Sequence, residues 1–173
     1  MVTHRVFQPT PDQPLDFEAT IERTLLELRQ HFCLCKVLFD PYQMQATAQR
    51  LTRAGVRLQE FPQSPANLTT VSQNLFELIR GQNILAYPDP EMRLAISRAV
   101  AVETPRGWRI TKQMQSHKID VVIALAMAAH ATIQGQAEGC YNTNYKAWVG
   151  EHVDWQGLRT NLYVRSGGTF RLF

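Results

Sequence analysis

Long apolar runs are missing from this 173-residue chain: none approaches the roughly 20 residues a helix needs to cross a bilayer. The opening stretch, MVTHRVFQPTPDQ, lacks the charged head and apolar core of a signal peptide, so an intracellular protein with no membrane partner is expected. Cysteine is scarce. Cys33 and Cys35 would share one face of a strand and Cys140 stands apart, with no further Cys or His pair to complete a zinc set, so buried free thiols are the expected reading. His4, His31, His117, His130 and His152 form no HxxxH or HExxH spacing, which excludes the usual zinc hydrolases. No GxSxG elbow is present, and no GxxxxGK[ST] loop, so the chain does not bind ATP in the P-loop manner. Repeats and low-complexity tracts are absent as well. The Asn67-Leu68-Thr69 sequon is incidental in an intracellular protein.

What is present suits a globular chain. Apolar residues make up 45% and charged residues 19%, enough for a packed core at this length. Net charge is +3, unevenly spread: residues 1–40 hold four basic and six acidic side chains, residues 41–130 ten basic and six acidic. The arginine-rich middle (Arg50, Arg53, Arg57, Arg80, Arg93, Arg98, Arg106, Arg109) reads either as a phosphate-contacting surface or as a solvated one.

The pattern along the chain alternates between strand and helix. HRVFQ reads as a short strand. Asp16 reads as the cap of a helix carrying Phe17, Ile21, Leu25 and Leu28. CKVLF follows as an interior strand, then a helix over about 42–54 closed by Gly55, and a strand in VRLQEF. Asn67 is expected to cap a helix with Leu68, Val71, Leu75 and Ile79 on one side, ended by Gly81. NILAY gives a short strand, and Asp89-Pro90 starts another helix. RAVAVE and GWRITK form a hairpin across TPRG. Ser116 is expected to cap a last helix with Ile119, Val122, Ile123, Ala126 and Ile133 as its stripe. Such alternation indicates an α/β layered domain with a partly parallel sheet. A soft boundary falls near Gly135, separating a domain over 1–134 from a C-terminal extension over 135–173. Trp108, Trp148 and Trp155 are read as packing residues.

Two aspartates eighty residues apart stand out. Asp40 ends the apolar run KVLFD, and Asp120 opens the apolar helix DVVIALAMAAHA. Each has an ordinary explanation: an Asp before Pro caps the turn that follows, and an acid in a first helical turn complements the helix dipole. Each also has a chemical one. A carboxylate at the C-terminal end of a buried strand sits where α/β folds place their sites. A carboxylate against a very apolar helix is costly to bury without a cation. Lys112 and Lys118 supply positive charge nearby in sequence, for the carboxylates or for a phosphate. His117, beside them, is read as an exposed helix-start residue.

The element DPYQ (residues 40–43), the element QS-x-x-NL (residues 63–68) and the run K-x-x-x-x-x-KIDVVIALAMA (residues 112–128) occur in that order. Over roughly residues 5–130 the sequence resembles the C-terminal nuclease domain of phage large terminase subunits. The resemblance implies an RNase H-like fold, a mixed α/β sheet with flanking helices, that cuts concatemeric double-stranded phage DNA during packaging. It implies three acids around two Mg2+ or Mn2+ ions, with Asp40 matching the second and Asp120 the third. The family's first acid, on an earlier strand preceded by an ATPase motor, has no match here, since Asp12 and Asp16 lie in loop and helix-cap contexts. The expectation is an N-terminally incomplete nuclease domain of a phage or prophage, in the host cytoplasm, inactive or nearly so by itself. Its implied partners are DNA, a separate chain bearing the motor and first strand, the terminase small subunit and the portal. A catalytically inactive remnant, or a DNA- or protein-binding module, is the alternative.

Overall fold

Two prolines, a left-handed glycine and one buried hydroxyl account for much of how this chain is built. The structure, a computed structural model, describes residues 4–32, 34–85, 88–137 and 163–164. It divides into two compact units, residues 5–63 and residues 64–173 together with the first four residues. The fold is mixed α/β, as the sequence indicates, with small parallel and antiparallel sheets among helices. Among the described residues the strands pair two by two rather than in one sheet.

In the unit of residues 5–63, a π-helical turn (Glu18–Glu22) leads into α1 (Arg23–His31). Asp16 starts it as expected: its Oδ1 accepts the N–H groups of Glu18 and Ala19 at 2.9 and 3.1 Å. The expected strand in HRVFQ does not form. It has no partner strand, and Arg5 donates instead to Thr24 Oγ1 and Glu27, both at 3.2 Å. Arg23, and after it Arg5, hold the Glu27 carboxyl below its ordinary range through those bonds.

Strand β1 (Val37–Phe39) pairs in parallel with β2 (Leu58–Glu60), with helix α2 (Gln45–Arg53) between them in sequence. This is a short βαβ unit. Its strands are three residues each, and β1 is half-buried rather than covered on both faces as CKVLF suggested. Beyond α2, Gly55 adopts φ +79°, and its N–H reaches Thr52 O while Val56 N–H reaches Leu51 O. That is a Schellman end, and the apolar pair that accompanies it, Leu51 and Val56, is almost wholly buried. Arg50 meets Glu22 at 2.7 Å and fastens α2 to the first helical segment.

In the second unit α3 (Pro65–Arg80) starts at Ser64, whose hydroxyl accepts Asn67 N–H, with Pro65 at the first helical position. The cap is therefore Ser64 and not Asn67. At the other end Gly81 stays right-handed and Gln82 takes φ +54°, sending Asn83 N–H back to Leu78 O. Asp89 caps α4 (Pro90–Ser97) as expected, accepting Met92 N–H at 2.7 Å. The hairpin of β4 (Ala99–Thr104) and β5 (Gly107–Lys112) is also as expected. Helix α5 (Asp120–Ala137) begins four residues after Ser116, the expected cap. Strand β3 (Ile84–Leu85) pairs with β6 (Tyr163–Val164). Apart from β6, the C-terminal extension beyond residue 137 lies outside the described residues, with Cys140, Trp148, His152 and Trp155 in it; so do Cys33 and the end of NILAY.

The core of this unit lies where α3 meets α5: Val71 and Leu75 against a stripe of Ile119, Val122, Ile123, Ala126 and Met127. Ile79, expected on the same side, is 52% exposed. Asn74 and His130 meet at 2.6 Å inside this contact. Ser72, wholly buried, donates to Leu68 O and accepts Ile110 N–H at 2.9 Å, joining α3 to the hairpin. Phe76 and Trp108 add an edge-to-face contact at 5.2 Å.

Replacing Ser72 with Ala leaves the Ile110 N–H without its acceptor and is expected to cost about 1–3 kcal/mol, read from the urea midpoint. Gly55→Ala forces a Cβ into a left-handed backbone and is expected to cost about 1–2 kcal/mol in the same measurement. An unchanged midpoint for either variant contradicts the role assigned to that residue.

Candidate metal and DNA site

Asp40 directly follows β1, where the strand stops at Pro41. It is half-buried, and its Oδ1 accepts Tyr42 N–H at 3.2 Å. Pro41 O accepts Met44 N–H, and Gln43 takes φ +58°, so DPYQ folds as a tight turn delivering the chain into α2. The turn uses one carboxylate oxygen and leaves Oδ2 with no hydrogen bond among the described residues. Asp40 thus shapes a turn at the C-terminal end of a half-buried parallel strand.

Asp120 occupies the first position of α5. It is exposed, so the carboxylate carries no burial cost for a cation to relieve, contrary to what the apolar run after it suggests. Its carboxylate makes no hydrogen bond or ion pair among the described residues, and α5 provides the positive end of a dipole beside it. The helix starts here because Ile119, buried, plugs into the core while its carbonyl accepts Val122 and Ile123 N–H. Asp40 belongs to the unit of residues 5–63 and Asp120 to the unit of residues 64–173.

Lys112 ends β5, and its Nζ donates to Gln115 O at 2.9 Å, closing the loop that precedes α5. Lys118 is exposed within that loop. Lys112, Lys118 and Asp120 therefore lie on one β5–loop–α5 connection. His117, in the same loop, is half-buried rather than exposed, and its Nδ1 is buried without a hydrogen-bond partner. Nothing in the sequence around His117 signals that orphaned nitrogen, since it results from how the loop folds over the ring. Among the described residues no three His, Cys, Asp or Glu side chains gather in a group able to hold a metal ion. No helix of the described residues is long and apolar enough to cross a membrane.

A shallow groove of about 550 Å³ lies beside α2, floored by Phe39, Ala48 and Leu58 and rimmed by Gln45, Arg53 and Glu60. Its rim carries charge of both signs, so it selects for neither an anion nor a cation.

No protein-family model matches this sequence, and no curated protein does. Among solved structures, the crystal structure of the HK97 bacteriophage large terminase is similar: TM-score 0.60, 20% identity, over 72% of this chain and 26% of that one. This chain thus spans about a quarter of that protein's length, and the likeness shows a shared fold.

Proposed function

We propose that this chain is a nuclease segment of the large-terminase type, cutting double-stranded DNA with divalent cations held by Asp40 and Asp120. The observation that carries this reading is the shared fold with the HK97 large terminase over 72% of the chain. A fold hosts many functions, so the residues must supply the rest of the argument. They do so through the strand-end carboxylate of Asp40 and the solvent-facing carboxylate of Asp120.

The donor chemistry fits. Both groups offer hard oxygen atoms, and Mg2+ is commonly held by one or two carboxylates together with phosphate oxygens and water. When bound, such an ion activates water and offsets charge on the phosphate under attack. The chain's own residues have simpler tasks. Asp40 and Asp120 anchor the cation, the Tyr42 N–H fixes the rotamer of Asp40, and Lys112 and Lys118 engage the DNA backbone as point charges. With two of the three acids that the resemblance implies, the isolated chain is expected to cut weakly or not at all. Full activity on concatemeric phage DNA then requires the first acid and the ATPase motor, alongside the small subunit and portal.

Two observations favour a second reading. Asp40 already serves a turn, and no three-ligand group exists among the described residues. A module that holds DNA or protein without cutting satisfies both facts.

Asp→Asn substitutions separate the readings, because in Asp40→Asn the amide keeps an oxygen for the Tyr42 N–H while the charge is lost. At a tenfold excess over Kd, Mg2+ or Mn2+ is expected to stabilise the wild type by about 1.4 kcal/mol, raising Tm by about 3–6 °C. Asp40→Asn and Asp120→Asn are each expected to abolish that rise; a rise that survives both substitutions assigns the cation elsewhere. For DNA, Lys112→Ala and Lys118→Ala are each expected to flatten the salt dependence of binding by about 0.9 in log–log slope. Unchanged slopes remove these lysines from the DNA contact.

A further inference from the structure

The two long edges of the β4–β5 hairpin are treated differently. On the β5 side, Ile110 N–H points away from β4 and is taken by Ser72 Oγ, so α3 covers that edge. On the β4 side nothing comparable occurs. Gln113 N–H bonds Arg98 O, which turns Arg98 toward β5 and, by strand alternation, Val100, Val102 and Thr104 as well. Ala99, Ala101 and Glu103 therefore aim their N–H and C=O groups outward, and none has a hydrogen-bond partner among the described residues. Ala101 and Glu103 are exposed, and Val102 is 42% exposed. AVAVET has high strand propensity and lacks the proline, lysine or bulge that commonly protects an exposed edge.

We propose that this edge is where a second copy of the chain adds, β4 against β4 in antiparallel register about a twofold axis at Ala101. The sequence is self-complementary in that register. Ala101 meets Ala101 of the other copy on the axis as a hydrogen-bonded pair, with neither bulk nor charge opposed. Val100 meets Val102 and Val102 meets Val100, gathering four valines on one face of a four-stranded sheet. Glu103 faces Ala99, so no like charges are opposed. Moving the axis to Val102 brings Pro105, which has no N–H, opposite Ala99; moving it to Glu103 opposes two carboxylates. The contact is isologous, so it closes at a dimer and does not run on into fibres. This inference does not depend on the nuclease reading.

The test is sedimentation velocity on the full chain from about 1 to about 300 µM, which brackets a contact of this modest size. Wild type is expected to shift from monomer to dimer across that range. Ala101→Pro removes an N–H that the hairpin itself does not use, and is expected to remain monomeric with an unchanged circular dichroism spectrum. Ala101→Lys places two ammonium groups on the axis without touching the backbone, and is expected to weaken Kd by about tenfold or more. It decides the matter if the proline variant fails to fold. A monomeric wild type at the highest concentration overturns the proposal. So does a dimer that Ala101→Lys leaves as tight as before, because that dimer uses another surface.

Discussion

The Ser72 hydroxyl is the point at which the layers of the second unit are joined. It lies wholly buried on α3, returns its proton to Leu68 O, and receives Ile110 N–H from the outer edge of β5. A helix covering a strand edge has no free backbone acceptors for that edge's N–H groups, and such groups are expensive to bury unpaired. One side-chain oxygen removes that cost and fixes the hairpin against α3. The apolar contact of α3 with α5 then fixes the third element. The connection from β5 to α5, which carries Lys112, His117, Lys118 and Asp120, is held at both ends by these contacts. The position of Asp120 is thus inherited from a serine far from it in sequence.

Local chemistry makes much of the fold legible. Gly55 is readable as a helix end because a left-handed residue is needed there, and Asp89-Pro90 as a helix start because both residues suit those positions. The hairpin is readable from two alternating strands around TPRG. Sequence and structure part where two residues offer the same local chemistry. Ser64 and Asn67 are both good caps, and Pro65 tips the choice to Ser64 by fitting the first helical position. HRVFQ has strand-like composition yet finds no partner strand, and pairing is a property of the fold and not of five residues. Ser72 shares the buried face of α3 with a second hydroxyl, Thr69, and nothing in the sequence sets it apart, because its partner lies 38 residues away.

The site is legible in part. Sequence singles out Asp40 and Asp120 by their settings, and the structure gives each a definite local environment: a turn at the end of a parallel strand, and the exposed start of a long apolar helix. The exposure of Asp120 is not legible, because the apolar run that follows it suggests burial. Its exposure alters the physical argument. A solvated carboxylate needs no cation for its own stability, so any metal affinity has to come from convergence of donors and from the phosphate they serve. On the proposed reading, a phosphate oxygen of the DNA therefore completes the shell of the cation.

Crystals of the full chain grown with a short DNA duplex and Mn2+, with anomalous diffraction recorded for manganese, address that idea directly. Manganese density shared by the carboxylates of Asp40 and Asp120, with a phosphate oxygen completing the set, is the result this account requires. Manganese located on other residues, or on only one of the two aspartates, contradicts it.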